Sequence, residues 1–291
     1  MSGWSPWRPL GLASPLSGPV LAEVLDGGQS FRWQLHPHGV WEGAWAGCRA
    51  RVRPGRPPEG DLEWSAPLPQ AAETESALRT YLAADADWHR KADDLPWRSD
   101  PHLARAIAAF PGLRILRQPF GETLLCFLCS AAKQIVQIKQ IAAALSQPRG
   151  RLPTWEELAD TPEASLRACK LGFRARYVHQ TARLLARQPG WLAETAALPY
   201  PEARERLCRL PGVGEKVADC VLLFGAGRLE AFPVDVWIIA AMSRRYGLKG
   251  WKPAQIAHFG RVHFGPQAGL AQQYLFAWER AHGSGVPALP S

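Results

Sequence analysis

Alternating apolar and polar positions mark the first part of the chain, and a helical period replaces them further on. The segments SFRWQL, GVWEGAW, CRARVRP and DLEWS each alternate, which predicts half-buried antiparallel strands joined by Gly/Pro turns. They lie before about Trp64 and include most of the tryptophans of that region, which carries six of the chain's 13. The stretch Pro54-Gly55-Arg56-Pro57-Pro58-Glu59-Gly60 reads as a loop. From Glu73 the period becomes helical, as in ALRTYLAADADW, and Asp93-Asp94-Leu95-Pro96-Trp97 reads as a junction between lobes. Helices are expected over 101–109, 121–145, 155–158, 174–187, 200–209, from about 215 to 224, 236–246 and 267–282. The chain is therefore read as α+β. Residues 1–97 form a β-rich N-terminal lobe and residues 98–291 an all-helical body.

Within the helical part, LPGVGEKVADCVLLFG (Leu210 to Gly225) places a tight turn between two helices. Gly212 and Gly214 are expected to take backbone angles closed to residues with a Cβ, exposing amides at the positive end of a new helix. A phosphate fits there, and helix–PGVG–helix over 200–225 is the helix-hairpin-helix pattern, which grips a nucleic-acid backbone without reading sequence. An ordinary helical hairpin with a glycine turn is the alternative. Lys216, Cys220 and Phe224 recur at i, i+4 and i+8 and share one face of the second helix. A lysine leading an apolar stripe is costly to bury charged, and burial beside a positive helix end favours the free amine that a nucleophile needs. The plainer alternative is a lysine that snorkels at the edge of a core helix. Asp235, after Phe232-Pro233-Val234, is first of all an N-cap. Backbone amides would hold such a carboxylate ionised, able to stabilise positive charge on a sugar or to activate the lysine.

LPGVGEKVADC with PVDV resembles the helix-hairpin-helix (HhH-GPD) DNA glycosylases, and within them the 8-oxoguanine DNA glycosylase family. GQSFRW (Gly28 to Trp33), LGFRARYV (Leu171 to Val178) and GLAQQYLF (Gly269 to Phe276) extend the resemblance over most of the chain. It implies a TATA-binding-protein-like N-terminal domain and a catalytic cleft between helical lobes. It implies a bifunctional enzyme as well. The damaged base is flipped out, Lys216 attacks the sugar and forms a Schiff base, Asp235 stabilises developing charge, and β-elimination nicks the strand. By the same resemblance Gly28 offers its carbonyl to the N7–H of an oxidised purine, and Gln272 bonds the base edge. Phe276 stacks on the ring, and Cys220 and Phe224 complete the pocket. Phe173 wedges into the gap and Arg174 contacts the opposite strand. Gly212, Val213, Gly214, Lys133, Gln137 and Trp237 lie along the DNA.

Three positions depart from the family. Ala131-Ala132-Lys133-Gln134 replaces an asparagine-rich stretch, Gln137 stands for an arginine that reads the orphaned cytosine, and Trp237 stands for a phosphate-binding histidine. Weaker preference for cytosine opposite the lesion is expected. A monofunctional alkylated-purine glycosylase is the second reading, but such enzymes use water rather than an amine. A non-catalytic DNA-binding hairpin protein would need neither Lys216 nor Asp235.

Composition adds bounds. A net charge of +8 and a pI of about 9.4 suit a polyanionic partner, here duplex DNA with an oxidised purine. Six cysteines in mostly apolar contexts read as reduced thiols, and the Cys126/Cys129 pair inside LLCFLCS as core rather than metal-binding. No iron–sulfur set follows Asp235, so no cofactor is expected beyond a monovalent cation at the hairpin turn. No apolar run spans a bilayer and no signal peptide is evident, so a cytoplasmic, nucleoid-associated monomer is expected, nuclear in a eukaryote.

Overall fold

The computed structural model describes residues 3–55 and 61–283. Five antiparallel strands form one sheet: β1 (Arg8–Pro9), β2 (Trp33–His36), β3 (Val40–Trp45), β4 (Cys48–Arg53) and β5 (Glu63–Ser65), in the order β1-β5-β4-β3-β2. The alternation turns Trp41, Trp45, Ala50, Val52 and Trp64 inward. Trp33 stacks on Trp45 with ring centroids 5.7 Å apart and donates to the Tyr81 hydroxyl at 3.2 Å. The β3–β4 hairpin closes on Ala46 and Gly47, both at positive φ, as a tight two-residue turn requires. Residues 56–60, the last five of the expected loop, lie outside the described residues.

A helix that the sequence reading did not expect precedes the expected strands: α1 (Gly18–Asp26), which buries Val20, Leu21, Val24 and Leu25 on one face. That spacing is helical, but in so short a segment it reads equally as an apolar run. The lobe continues through α2 (Ala71–Tyr81) and α3 (Trp88–Asp93), and α4 (Pro101–Ala109) opens the body, packing on its last helix. The body then comprises α5 (Phe120–Leu128), α6 (Ile135–Ser146), α7 (Trp155–Asp160), α8 (Glu163–Leu166), α9 (Arg174–Ala186) and α10 (Trp191–Ala197). It ends with α11 (Tyr200–Cys208), α12 (Glu215–Ala226), α13 (Val236–Arg245), α14 (Pro253–Phe264) and α15 (Ala268–His282).

The single helix expected over 121–145 is two. α5 stops where the Ser130 hydroxyl donates back to the Phe127 carbonyl at 2.7 Å, and Ala132 takes φ +50°. α6 restarts at Gln134 with a reciprocal cap from Gln137. Side-chain capping chemistry overrides a continuous apolar period here.

α12 runs through the centre of the body, with every residue from Val217 to Phe224 buried. Three buried carboxylates fix its surroundings. Asp219 accepts from Tyr200 at 2.8 Å and Arg204 at 3.0 Å, tying α11 to α12. Glu279 on α15 pairs with Arg244 and Arg245 of α13. Asp100 takes the Tyr246 hydroxyl at 2.8 Å. Removing one partner of such a group strands a buried charge, so these contacts hold the scaffold to one arrangement. The N-terminal lobe is locked to the body by Gln29. Its side chain donates to the Arg114 carbonyl at 2.9 Å and accepts from the Leu116 amide at 3.0 Å. No helix among the described residues is long and apolar enough to cross a membrane.

Candidate active site

The hairpin between α11 and α12 forms as its residues require. Gly212 sits at φ +79°, and a Cβ there would lie 2.7 Å from Cβ and Cγ of Tyr177, so only glycine fits. Gly214 differs from expectation. Its φ is −93° in extended backbone, and a Cβ would meet nothing within 4 Å. Its value lies in open access to the helix N-terminus rather than in a forbidden angle. The Val213 side chain is buried, so this residue presents only backbone outward. Thr181 of α9 donates to the Pro211 carbonyl at 3.1 Å and anchors the turn.

Lys216 occupies the first turn of α12. Its Nζ donates to the Ser130 hydroxyl at 3.4 Å and lies 5.3 Å from the Phe127 ring centroid. The Ser130 proton is already given to the Phe127 carbonyl, so its oxygen is left to accept. Cys220 lies one turn on, and burial pushes its thiol up to about 12, with Lys216 the leading opposing influence. Asp235 caps α13, accepting from the Trp237 and Ile238 amides at 3.0 and 2.9 Å. Burial raises its pKa; the Ile238 amide, the Lys216 charge and the Trp237 amide oppose that rise without cancelling it. The amides alone, which the sequence suggested would keep it ionised, are thus outweighed by desolvation.

One cavity gathers these groups. Gly28, Phe127, Lys216, Cys220, Phe224, Pro233, Asp235, Gln272, Gln273 and Phe276 line it. Both expected catalytic residues and all five expected pocket residues therefore meet in one place. Gly28 has φ +102°, and a Cβ would come within 3.2 Å of Ile135 and 3.7 Å of Phe276. Gln272 is buried, and its Oε1 has no hydrogen-bond partner. Phe127, Pro233, Gln273 and the neighbouring Ser130 escaped the sequence reading. Phe127 lies in LLCFLCS, which reads as featureless core until the break after Cys129 is known. Cys126 and Cys129 are buried there, as expected. Two roomier clefts lie along α6, but the Lys139 and Arg280 side chains lining them are paired with Asp26 and Glu23, and neither cleft holds the Lys216–Asp235 pair.

The face toward the second strand is built differently. Phe173 is 56% exposed, which suits a wedge. Arg174, expected to reach the opposite strand, is folded back and buried. Its guanidinium lies 4.2 Å from the Phe173 ring centroid and donates to the Leu171 carbonyl at 3.3 Å, so in this arrangement it braces the wedge. Tyr177 packs edge-on to Phe173 at 6.3 Å and also fills the space beside Gly212, linking wedge and hairpin. Lys133 is half-buried in the α5–α6 turn. Gln137 is exposed, and its Oε1 accepts from the Gln134 amide at 3.1 Å. Trp237 is half-buried on the first turn of α13.

Residues 125–261 match the HhH-GPD superfamily of base excision DNA repair proteins, and residues 12–124 match the 8-oxoguanine DNA glycosylase N-terminal domain. The chain is 31% identical to the N-glycosylase/DNA lyase OGG1 of Arabidopsis thaliana, over 96% of this chain and 81% of that protein. It is 30% identical to the N-glycosylase/DNA lyase of Saccharomyces cerevisiae, over 83% of this chain and 72% of the relative. A solved Clostridium acetobutylicum 8-oxoguanine glycosylase/lyase, in complex with duplex DNA containing cytosine opposite 8-oxoguanine, superposes with a TM-score of 0.82. It is 30% identical and covers 90% of this chain and 91% of its own.

Proposed function

The chain belongs to the 8-oxoguanine N-glycosylase/DNA lyase family of the HhH-GPD superfamily, and on that premise we propose that it excises 8-oxoguanine from duplex DNA and nicks the resulting site. It is a bifunctional base-excision-repair enzyme. The observation that carries the reading is the convergence of Lys216, Asp235, Gly28, Gln272 and Phe276 on one cavity beside a phosphate-binding hairpin.

The reaction follows from the arrangement. The hairpin amides hold a phosphate, Phe173 fills the gap in the stack, and the flipped base enters the cavity. Gly28 accepts from the N7–H that distinguishes the oxidised purine, because normal guanine has a bare acceptor there. Gln272 bonds the opposite edge and Phe276 stacks on the ring. The Lys216 amine then attacks C1′, the C1′–N9 bond breaks, and the base leaves with the electron pair. The Asp235 carboxylate stabilises positive charge on the sugar as it develops. The attached nitrogen loses one proton, the C1′–O4′ bond breaks with O4′ taking up a proton, and the Schiff base forms; removal of a C2′ proton then breaks the C3′–O3′ bond and expels the 3′ phosphate. A monovalent cation would be held at the hairpin turn, Gly212 to Gly214, where it would supply positive charge toward the DNA backbone. The enzyme works where genomic DNA lies, in a nucleoid or a nucleus.

The deciding experiment is borohydride trapping on a duplex with one 8-oxoguanine, comparing wild type with Lys216→Gln. A covalent adduct with wild type alone is expected. Base release without any adduct would overturn the lysine mechanism. An alkylated-purine duplex as the preferred substrate would replace the lesion assignment.

A further inference from the structure

Gln273, beside the expected base-binding glutamine, lines the same cavity, is only 2% exposed, and leaves its side-chain Nε2 without a hydrogen-bond partner. A buried amide N–H without a partner costs roughly 1–3 kcal/mol, so at a cavity-lining residue a ligand acceptor that bonds it recovers that cost. Gln272 alongside leaves its Oε1 equally unpaired. Two consecutive cavity-lining residues thus leave one acceptor and one donor unpaired.

Helix geometry says which side Gln273 serves. Gln273 lies four residues after Gly269, on the same face of α15. At Gly269 that face presses on Leu223 of α12 and on the Ala231 and Leu229 carbonyls, where a Cβ would sit 2.5–3.1 Å from them. One turn further along, the same face looks onto the wall formed by α12 and the segment leading to Asp235. Cys220, Pro233 and Asp235 line the cavity there. Gln273 is therefore on the catalytic side, where the sugar lies, and Gln272 is its neighbour around the base.

Around the rim of a purine, N7, O6, the N1–N2 edge and N3 follow in turn, and N9 joins the sugar. With N7–H at Gly28 and the N1–N2 edge at Gln272, the next atom toward the sugar is N3, an acceptor. We propose that the Gln273 side-chain amide donates a hydrogen bond to N3 of the flipped purine, making Gln273 a second base-reading residue. A donor at that position also stabilises the negative charge that grows on the departing base. This inference rests on the glycosylase reading given above.

The test crosses two proteins with two substrates. Wild type and Gln273→Leu, which keeps the bulk, are assayed for single-turnover excision of 8-oxoguanine and of its 3-deaza analogue, in which C–H replaces N3. Gln273→Leu should slow excision of 8-oxoguanine about tenfold, the size of one such hydrogen bond. It should also shrink the ratio between the two substrates about tenfold, because the variant no longer senses N3. The free variant should melt no lower than wild type, since an unpaired buried amide has been replaced by a hydrocarbon. An unchanged substrate ratio overturns the inference, and so does a loss of several degrees in Tm, which would make the amide structural. Wild type that traps no borohydride adduct on 8-oxoguanine overturns the functional reading and this inference with it. An adduct with an unchanged ratio overturns the inference alone.

Discussion

The pocket for the lesion and the face toward the second strand are built on opposite principles. The pocket gathers buried side chains such as Cys220, Phe224, Gln272 and Gln273 around the partly buried Lys216 and Asp235, and Gln272 and Gln273 keep buried atoms without partners. The strand-facing side offers exposed or half-buried groups such as Phe173, Lys133 and Gln137, carried on turns and helix ends. The pocket is preorganised, so each change in it should cost chemistry. The outer face is adaptable, so most changes there should cost selectivity or affinity. Gly212 is the exception on that face, because Tyr177 fills the space where its Cβ would stand.

The largest effect should come from the pocket's charge. Asp235→Asn keeps an acceptor for the Trp237 and Ile238 amides, so the cap survives while the charge is lost. Single-turnover excision should fall by about 10²–10³, the usual size of one electrostatic contribution to a transition state. A fall of less than about tenfold would remove Asp235 from the chemistry. The same carboxylate sets a pH limb. Its folded pKa is raised by burial, and only the ionised form stabilises the sugar cation. Activity should therefore be present above that pKa and be lost as pH falls through it. The midpoint should lie above about 3.9, the ordinary aspartate value. A pH–rate profile with its acid limb at or below that value would contradict the assignment.

Next comes the hairpin pair. Gly212→Ala forces a left-handed alanine into the Tyr177 ring and should cost about 1–3 kcal/mol of stability. Gly214→Ala has ordinary backbone and open space, so thermal melting should barely move while duplex affinity falls. Equal melting losses in the two variants would erase the distinction between a glycine needed by the fold and one needed by the ligand. The smallest effect should appear on the outer face. Cleavage of 8-oxoguanine opposite each of the four bases should show only a modest cytosine preference, and Gln137→Arg should increase it. A strong preference in the wild type would show that another group reads the orphaned base.

Much of this was legible from residue order alone. Local chemistry placed the strands around Trp41 and Trp64, both hairpin helices, the lysine at a helix start and the aspartate at a cap. Each depends on neighbours within a few positions, so the signal is carried by the sequence itself. The break between α5 and α6 was hidden, because a hydroxyl bonded to its own turn and a glutamine cap interrupt an apolar period without Gly or Pro. The role of Gly214 was misjudged for a related reason: a glycine at a turn does not announce its φ. The orientation of Arg174 and the partnerless amide of Gln273 were beyond local reading altogether. Whether a side chain reaches solvent, braces a ring or waits unpaired depends on what residues far along the chain bring against it. Gly28 lines the cavity with Phe276, and its neighbour Gln29 is anchored by hydrogen bonds to the backbone at Arg114 and Leu116, far along the chain. The sequence by itself determined which chemistry was available. Tertiary packing alone decided which groups stand together, and that proximity is what makes a lysine, an aspartate and two amides one site.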